Sequence, residues 1–154
     1  MIKKIVSGGQ TGVDRAALDV AIELGLPCGG WCPRGRKAED GPIHTRYPLE
    51  ETTSGDYRVR TRLNVEKSDG TLILTQGPVT GGTALTIRLA KERSKPCIVV
   101  DLAHQQDPGD VLEWVEENQI RILNVAGPRE SKVQGIHERT SKFLEKILSS
   151  EVLR

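Results

Sequence analysis

The sequence predicts an α/β protein, a Rossmann-like three-layer α/β/α sandwich with a mainly parallel sheet. Three observations predict it. Short apolar runs at 2–7, 71–74, 97–100 and 120–125 alternate with segments of helical periodicity. Two glycine-rich turns, at 7–12 and 77–83, stand directly between a run and a helix. The length of 154 residues suits a single domain, 1–154, with a core that needs neither disulfides nor metal.

The first run, 2–7, reads as a buried strand, and Gly8-Gly9 turns the chain. A helix follows over 13–24, with Ala17, Leu18, Ala21 and Leu24 at helical spacing. Thr11 suits its cap, with Asp14 three residues on in a capping-box pattern. Gly25 suits the left-handed position that ends it. Residues 26–56 break the rhythm: Pro27, Pro33, Pro42 and Pro48 stand among glycines and charges. A long irregular connection is expected there, with a short strand near 27–30.

Between 56 and 68 two readings compete. Tyr57, Val59, Thr61, Leu63 and Val65 alternate as in a strand, whereas Tyr57, Thr61 and Asn64 share one helical face. Asp69-Gly70 then turns into the strand at 71–74. After the second glycine-rich turn a helix runs through Ala84, Leu85, Leu89 and Ala90 and stops before Pro96. The strand at 97–100 follows. Asp107 caps the next helix and Pro108 occupies its first turn. The strand at 120–125 leads to Gly127-Pro128 and a last helix striped by Ile136, Thr140, Phe143, Leu144 and Ile147. Strands alternating with helices imply parallel pairing through right-handed crossovers. In such folds ligands bind beyond the carboxyl ends of the strands.

Three turns should meet at that edge: 7–12, 77–83 and 126–129. Glycine lets the backbone approach an anion closely, and free amides at a helix start favour negative charge. Ser7, Gly8, Gly9, Gln10 and Thr11 from the first turn, and Thr80, Gly81, Gly82 and Thr83 from the second, are the candidate cradle. Arg15 and Arg129 add charge-assisted contacts. Asp14 is either a structural cap or a ligand for a ribose hydroxyl or a metal. The segment 31–41 carries three cations, two carboxylates and Trp31; it reads as a lid or wall, with Arg34 or Arg36 reaching phosphate. The turns fit neither the dinucleotide fingerprint nor the P-loop, since 8–12 reads Gly-Gly-x-x-Gly and no Gly-Lys-Ser/Thr occurs.

Other classes are disfavoured. Twenty-two basic residues balance 21 acidic ones, which argues against electrostatic binding of nucleic acid or membrane surfaces. Five aromatics are too few for a base-stacking platform. Cys28, Cys32 and Cys97 are an odd set with no secretory segment ahead of them, which suggests a reducing cytoplasm. No metal site is expected, because Cys28 and Cys32 have only His44 nearby. His44, His104 and His137 suggest no catalytic triad, and no catalytic residue is assigned.

The motif Ser-Gly-Gly-Gln-Thr-Gly-Val-Asp-Arg-Ala-Ala-Leu-Asp at 7–19 resembles the opening of the molybdenum cofactor carrier family, a circularly permuted branch of the SLOG superfamily. The resemblance continues through 30–41, Arg60-Thr61, Asn64-Val65, 68–71, Gly81-Gly82-Thr83 and 124–129, nearly the whole chain. It implies a helix at 56–68 with Thr61 and Asn64 near the site, a homo-oligomer, and a small phosphorylated ligand. That ligand would be the molybdenum cofactor (molybdopterin) or a nucleotide, held without catalysis. The superfamily also contains nucleotide phosphoribohydrolases, which look like Pro-Gly-Gly-x-Gly-Thr-x-x-Glu. Here Thr86 stands where that glutamate is expected. A hydrolase would therefore need a carboxylate from elsewhere, Asp14, Glu39 or Asp40.

Overall fold

The structure, a computed structural model, describes residues 1–104 and 106–152. In chain order its elements are β1 (Lys4–Val6), α1 (Val13–Glu23), β2 (Cys28–Gly29), β3 (Trp31–Cys32), β4 (Lys37–Ala38), β5 (Gly41–Pro42), β6 (Glu50–Glu51), α2 (Tyr57–Glu66), β7 (Gly70–Thr75), α3 (Gly81–Glu92), β8 (Cys97–Asp101), α4 (Pro108–Glu117), β9 (Ile122–Ala126) and α5 (Ile136–Val152). The central sheet has the order β2-β1-β9-β7-β8, and every neighbouring pair is parallel.

The chain steps from β1 to β2 in one direction across the sheet and from β7 to β8 in the other. Right-handed crossovers then put α1 and α3 on opposite faces. One layer holds α1, α5 and α4 packed on one another, and the other holds α2 on α3. This is the Rossmann-like α/β arrangement. Its main core joins Leu72, Leu74, Leu123 and Val125 of the sheet to Ala17 and Val20 of α1, Val115 of α4 and Leu144 and Ile147 of α5. Each large side chain so buried contributes about 1.5–3 kcal/mol.

Helix ends follow local chemistry in most places. Asp107 accepts a hydrogen bond from Gly109 N–H at 2.8 Å, capping α4. Gly25, at φ 72°, ends α1: its N–H donates to Ile22 O and Leu26 N–H to Ala21 O, the paired bonds of a Schellman end. The start of α1 departs from expectation. Gly12, not Thr11, precedes the helix, with φ 79° and no side-chain cap bond. Thr11 Oγ1 instead donates to Glu39 and accepts from Glu130 N–H.

Two further segments settle what their patterns left open, and β2 is the short strand expected near 27–30. Residues 57–66 form a helix, α2, because Asp56 caps it through Arg58 N–H at 2.9 Å and Thr61, Asn64 and Val65 bury one face. The alternation there is incidental. The proline-rich stretch is ordered: β3 pairs with β6 and β4 with β5, around a small core of Cys32, Ala38, Ile43, Tyr47 and Leu49 seated on Leu18 of α1. Backbone bonds within the loop and the half-buried Arg36 side chain replace the missing regular structure.

Candidate functional site

A cleft of about 650 Å³ opens beyond the carboxyl ends of the central strands. Gln10 and Asp14 from the β1–α1 region, 75–76 and 78–83 from the end of β7 onward, 126–129 with Lys132 from the end of β9 onward, and Tyr57, Arg58, Arg60 and Thr61 of α2 line it. The three turns therefore meet, and α2 supplies a fourth wall.

The two glycine-rich turns are not equivalent. In the first, protein atoms already fill the space that glycine leaves. A Cβ at Gly9 would lie 2.5 Å from Leu49 Cδ1, and one at Gly12 2.4 Å from Pro128 O. Val13 N–H is also taken, donating to Pro128 O at 3.2 Å. In the second turn nothing lies within 4 Å of a Cβ at Gly77 or Gly82, and Lys132 Nζ stands 3.0 Å from one at Gly81. Thr80 makes no side-chain cap bond. The first amides of α3 lack intrahelical acceptors and face open cleft with a cation beside them. Open space beside a helix start, of the kind an anion could enter, is thus found at α3 and not at α1.

Of the expected site residues, Gln10, Asp14, Thr61, Thr80, Gly81, Gly82, Thr83 and Arg129 line the cleft. Ser7 and Asn64 are buried behind it. Ser7 Oγ donates to Asp14 O, and Asn64 bridges Trp31 N–H and Trp31 O, tying α2 to β3. Gly8 and Gly9 shape the turn. Arg15 grips the long loop instead, donating to Gly9 O and, through both terminal nitrogens, to Asp40. Arg34 and Arg36 do not reach the cleft. Arg34 is exposed on the turn that follows β3, its N–H donating to Ser54 O. Arg36 donates to the carbonyls of Ile43, Leu49, His44 and Tyr47, which staples its own loop and leaves the guanidinium no reach toward a ligand.

Sequence reasoning missed Tyr57, Arg58, Arg60 and Lys132 as lining residues. Tyr57, Arg60, Thr61 and Asn64 form an i, i+3, i+4, i+7 stripe, a signal readable only once α2 is taken as a helix. No spacing rule marks Lys132, which sits in the loop before α5.

The lining holds four cations, Arg58, Arg60, Arg129 and Lys132, and one carboxylate, Asp14, which pairs with Arg60. Burial raises the Asp14 pKa above the usual carboxylate value, against the opposing pull of Arg60, Gln10 N–H and Arg15. Glu39 and Asp40 lie outside the lining. Glu39 binds Thr11, Ser131 and Arg129, and these bonds outweigh desolvation and lower its pKa. Thr86 lines the cleft with its hydroxyl donating to Gly82 O at 2.9 Å. Among the described residues no group of three His, Cys, Asp or Glu side chains could hold a metal ion, and no helix is long and apolar enough to cross a membrane.

Residues 5–148 match the Circularly permutated YpsA SLOG family. A crystal structure of a protein named "Putative molybdenum carrier protein", from Syntrophus aciditrophicus SB, superposes with a TM-score of 0.92 at 45% identity, covering 96% of this chain and 95% of that one. No curated protein matches significantly.

Proposed function

Because the chain belongs to the circularly permutated YpsA SLOG family, we propose that it binds a phosphate-bearing small molecule and holds it without transforming it. The open start of α3 carries this reading: glycines with nothing opposite them, unfilled amides, Thr80 and Thr83 beside them, and Lys132 at 3.0 Å from a Gly81 Cβ. The ligand classes are a molybdenum-cofactor-type pterin and a nucleotide. The name of the 45%-identical relative supports the carrier role. The cleft volume of about 650 Å³ fits one such molecule.

The test is calorimetric titration with ribose 5-phosphate, mononucleotides and isolated molybdenum cofactor. At a hundredfold excess over its dissociation constant, a ligand specific for the folded chain adds about 2.7 kcal/mol of stability. Lys132→Ala is expected to weaken binding about tenfold by removing a charge-assisted contact. Failure of every phosphorylated compound to bind would overturn the reading.

A further inference from the structure

The cleft has a second polar pole, built by α2 against the β1–α1 turn. Asp14 borders the cleft although its side chain is only 5% exposed. Arg60 Nη1 donates to its Oδ2 at 3.0 Å. Gln10 N–H points at the same oxygen, at 3.4 Å. The Arg60–Asp14 bond uses one of the five guanidinium donors, and the buried Arg60 Nε has no hydrogen-bond partner among the described residues. The guanidinium also stands over the Tyr57 ring, 5.6 Å from its centroid, and Lys37 Nζ lies over the same ring at 5.2 Å. Tyr57 is 37% exposed and lines the cleft. A part-exposed aromatic ring, the donor fork over it and a carboxylate acceptor therefore adjoin one another.

Resting on the reading that phosphate docks at α3, we propose that this corner selects a planar ring whose edge presents a carbonyl, a ring N–H and an exocyclic amine in that order. This is the 2-amino-4-oxopyrimidine edge, common to guanine and pterins. Its carbonyl accepts from Arg60, its two donors face Asp14, and its face lies against Tyr57. Two donors aimed at one buried carboxylate are charge-assisted bonds, the kind that discriminates strongly between ring edges. Hypoxanthine keeps the carbonyl and the ring N–H but lacks the amine. Adenine sets a ring acceptor against the carboxylate, a repulsive contact. A ribose diol satisfies the carboxylate but leaves the aromatic face unused.

The experiment is calorimetric titration of the full chain with ribose 5-phosphate, GMP, IMP, AMP and a 6-substituted pterin monophosphate. GMP or the pterin is expected to bind about tenfold tighter than IMP and about a hundredfold tighter than AMP. The tighter of the first two identifies the source of the edge. Asp14→Asn is expected to level GMP and IMP. Tyr57→Ala, a change at a half-exposed residue that spares the core, is expected to weaken GMP and pterin binding while leaving ribose 5-phosphate unchanged. Equal affinity for GMP, the pterin monophosphate, IMP and AMP overturns this inference and leaves the phosphate reading standing. Failure of all compounds, ribose 5-phosphate included, overturns both.

Discussion

The guanidinium of Arg60 occupies the space that a side chain at Gly8 would take: a Cβ there would lie 1.6 Å from Arg60 Nη1 and 3.0 Å from Asp14 Oδ2. The obstacle is the far end of a flexible side chain, so Gly8→Ala is expected to fold. It displaces the guanidinium and leaves the buried Asp14 without its cationic partner, at a cost of about 1–3 kcal/mol. Urea unfolding of Gly8→Ala, Arg60→Ala and the double variant checks this. Their costs are expected to be non-additive, because the first change already breaks what the second removes. Additive costs would contradict the coupling.

At Gly127 the obstacle is backbone. A Cβ there would lie 2.1 Å from Leu74 O on β7 and 2.6 Å from Val13 Cγ2 on α1. Neither the central strand nor the helix start can yield cheaply. Gly127→Ala is expected to cost about 3 kcal/mol or more, by the overpacking mechanism. A melting temperature close to that of the parent chain would refute the fit between the third turn and the sheet.

Gly82 separates stability from binding. A Cβ there meets nothing within 4 Å, and the residue lies in the first turn of α3. Gly82→Ala is expected to stabilise the free protein by about 0.5–1 kcal/mol through reduced chain entropy. The same methyl group stands where the phosphate would approach, so affinity for phosphorylated ligands is expected to fall. A variant that gains stability and keeps full affinity would move the anion away from α3.

Arg36 tests the opposite assignment. Its four carbonyl acceptors lie in the loop between β5 and β6. Lysine cannot reproduce the planar fork, so Arg36→Lys is expected to cost about 1–3 kcal/mol. It should also speed proteolysis within 36–50. Phosphate-ligand affinity is expected to stay the same, as calorimetry on the folded variant would register.

Stability should also depend on pH through His137. Its Nε2 lies 2.9 Å from Asp19 Oδ2, and that hydrogen bond raises the His137 pKa above the usual 6.5, against partial desolvation. Desolvation raises the Asp19 pKa, but hydrogen bonds from His137 and Tyr47 outweigh it and lower the net value. A histidine with a raised folded pKa contributes stability that is complete below its unfolded value. That contribution is lost as pH rises through the folded value. The Asp19 contribution runs the other way: it is present above 3.8 and lost as pH falls through the lowered folded value. The urea midpoint is expected to decline as pH rises past 6.5, and His137→Gln is expected to flatten that decline. An unchanged slope in the variant would assign the pH dependence elsewhere.

Sequence by itself determined whatever depends on near neighbours. The apolar runs of β7 and β9, the Asp107-Pro108 start of α4 and the Gly25 end of α1 follow from periodicity and capping chemistry, which act within a few residues. The meeting of three turns at one sheet edge follows from strand–helix alternation and crossover handedness. Tertiary structure decided what depends on distant atoms. Gly9 and Gly12 look like an anion cradle in the chain, yet Leu49 and Pro128, from far along it, fill their space. Gly82 has the same local signature and stays open because nothing folds over it. Arg36 and Arg60 are equally basic in sequence; one is consumed by the carbonyls of its own loop, while the other reaches 46 residues back to Asp14. Whether a glycine or an arginine is spent on the protein or left for a ligand is set by which groups the fold brings to it, and that information is not local.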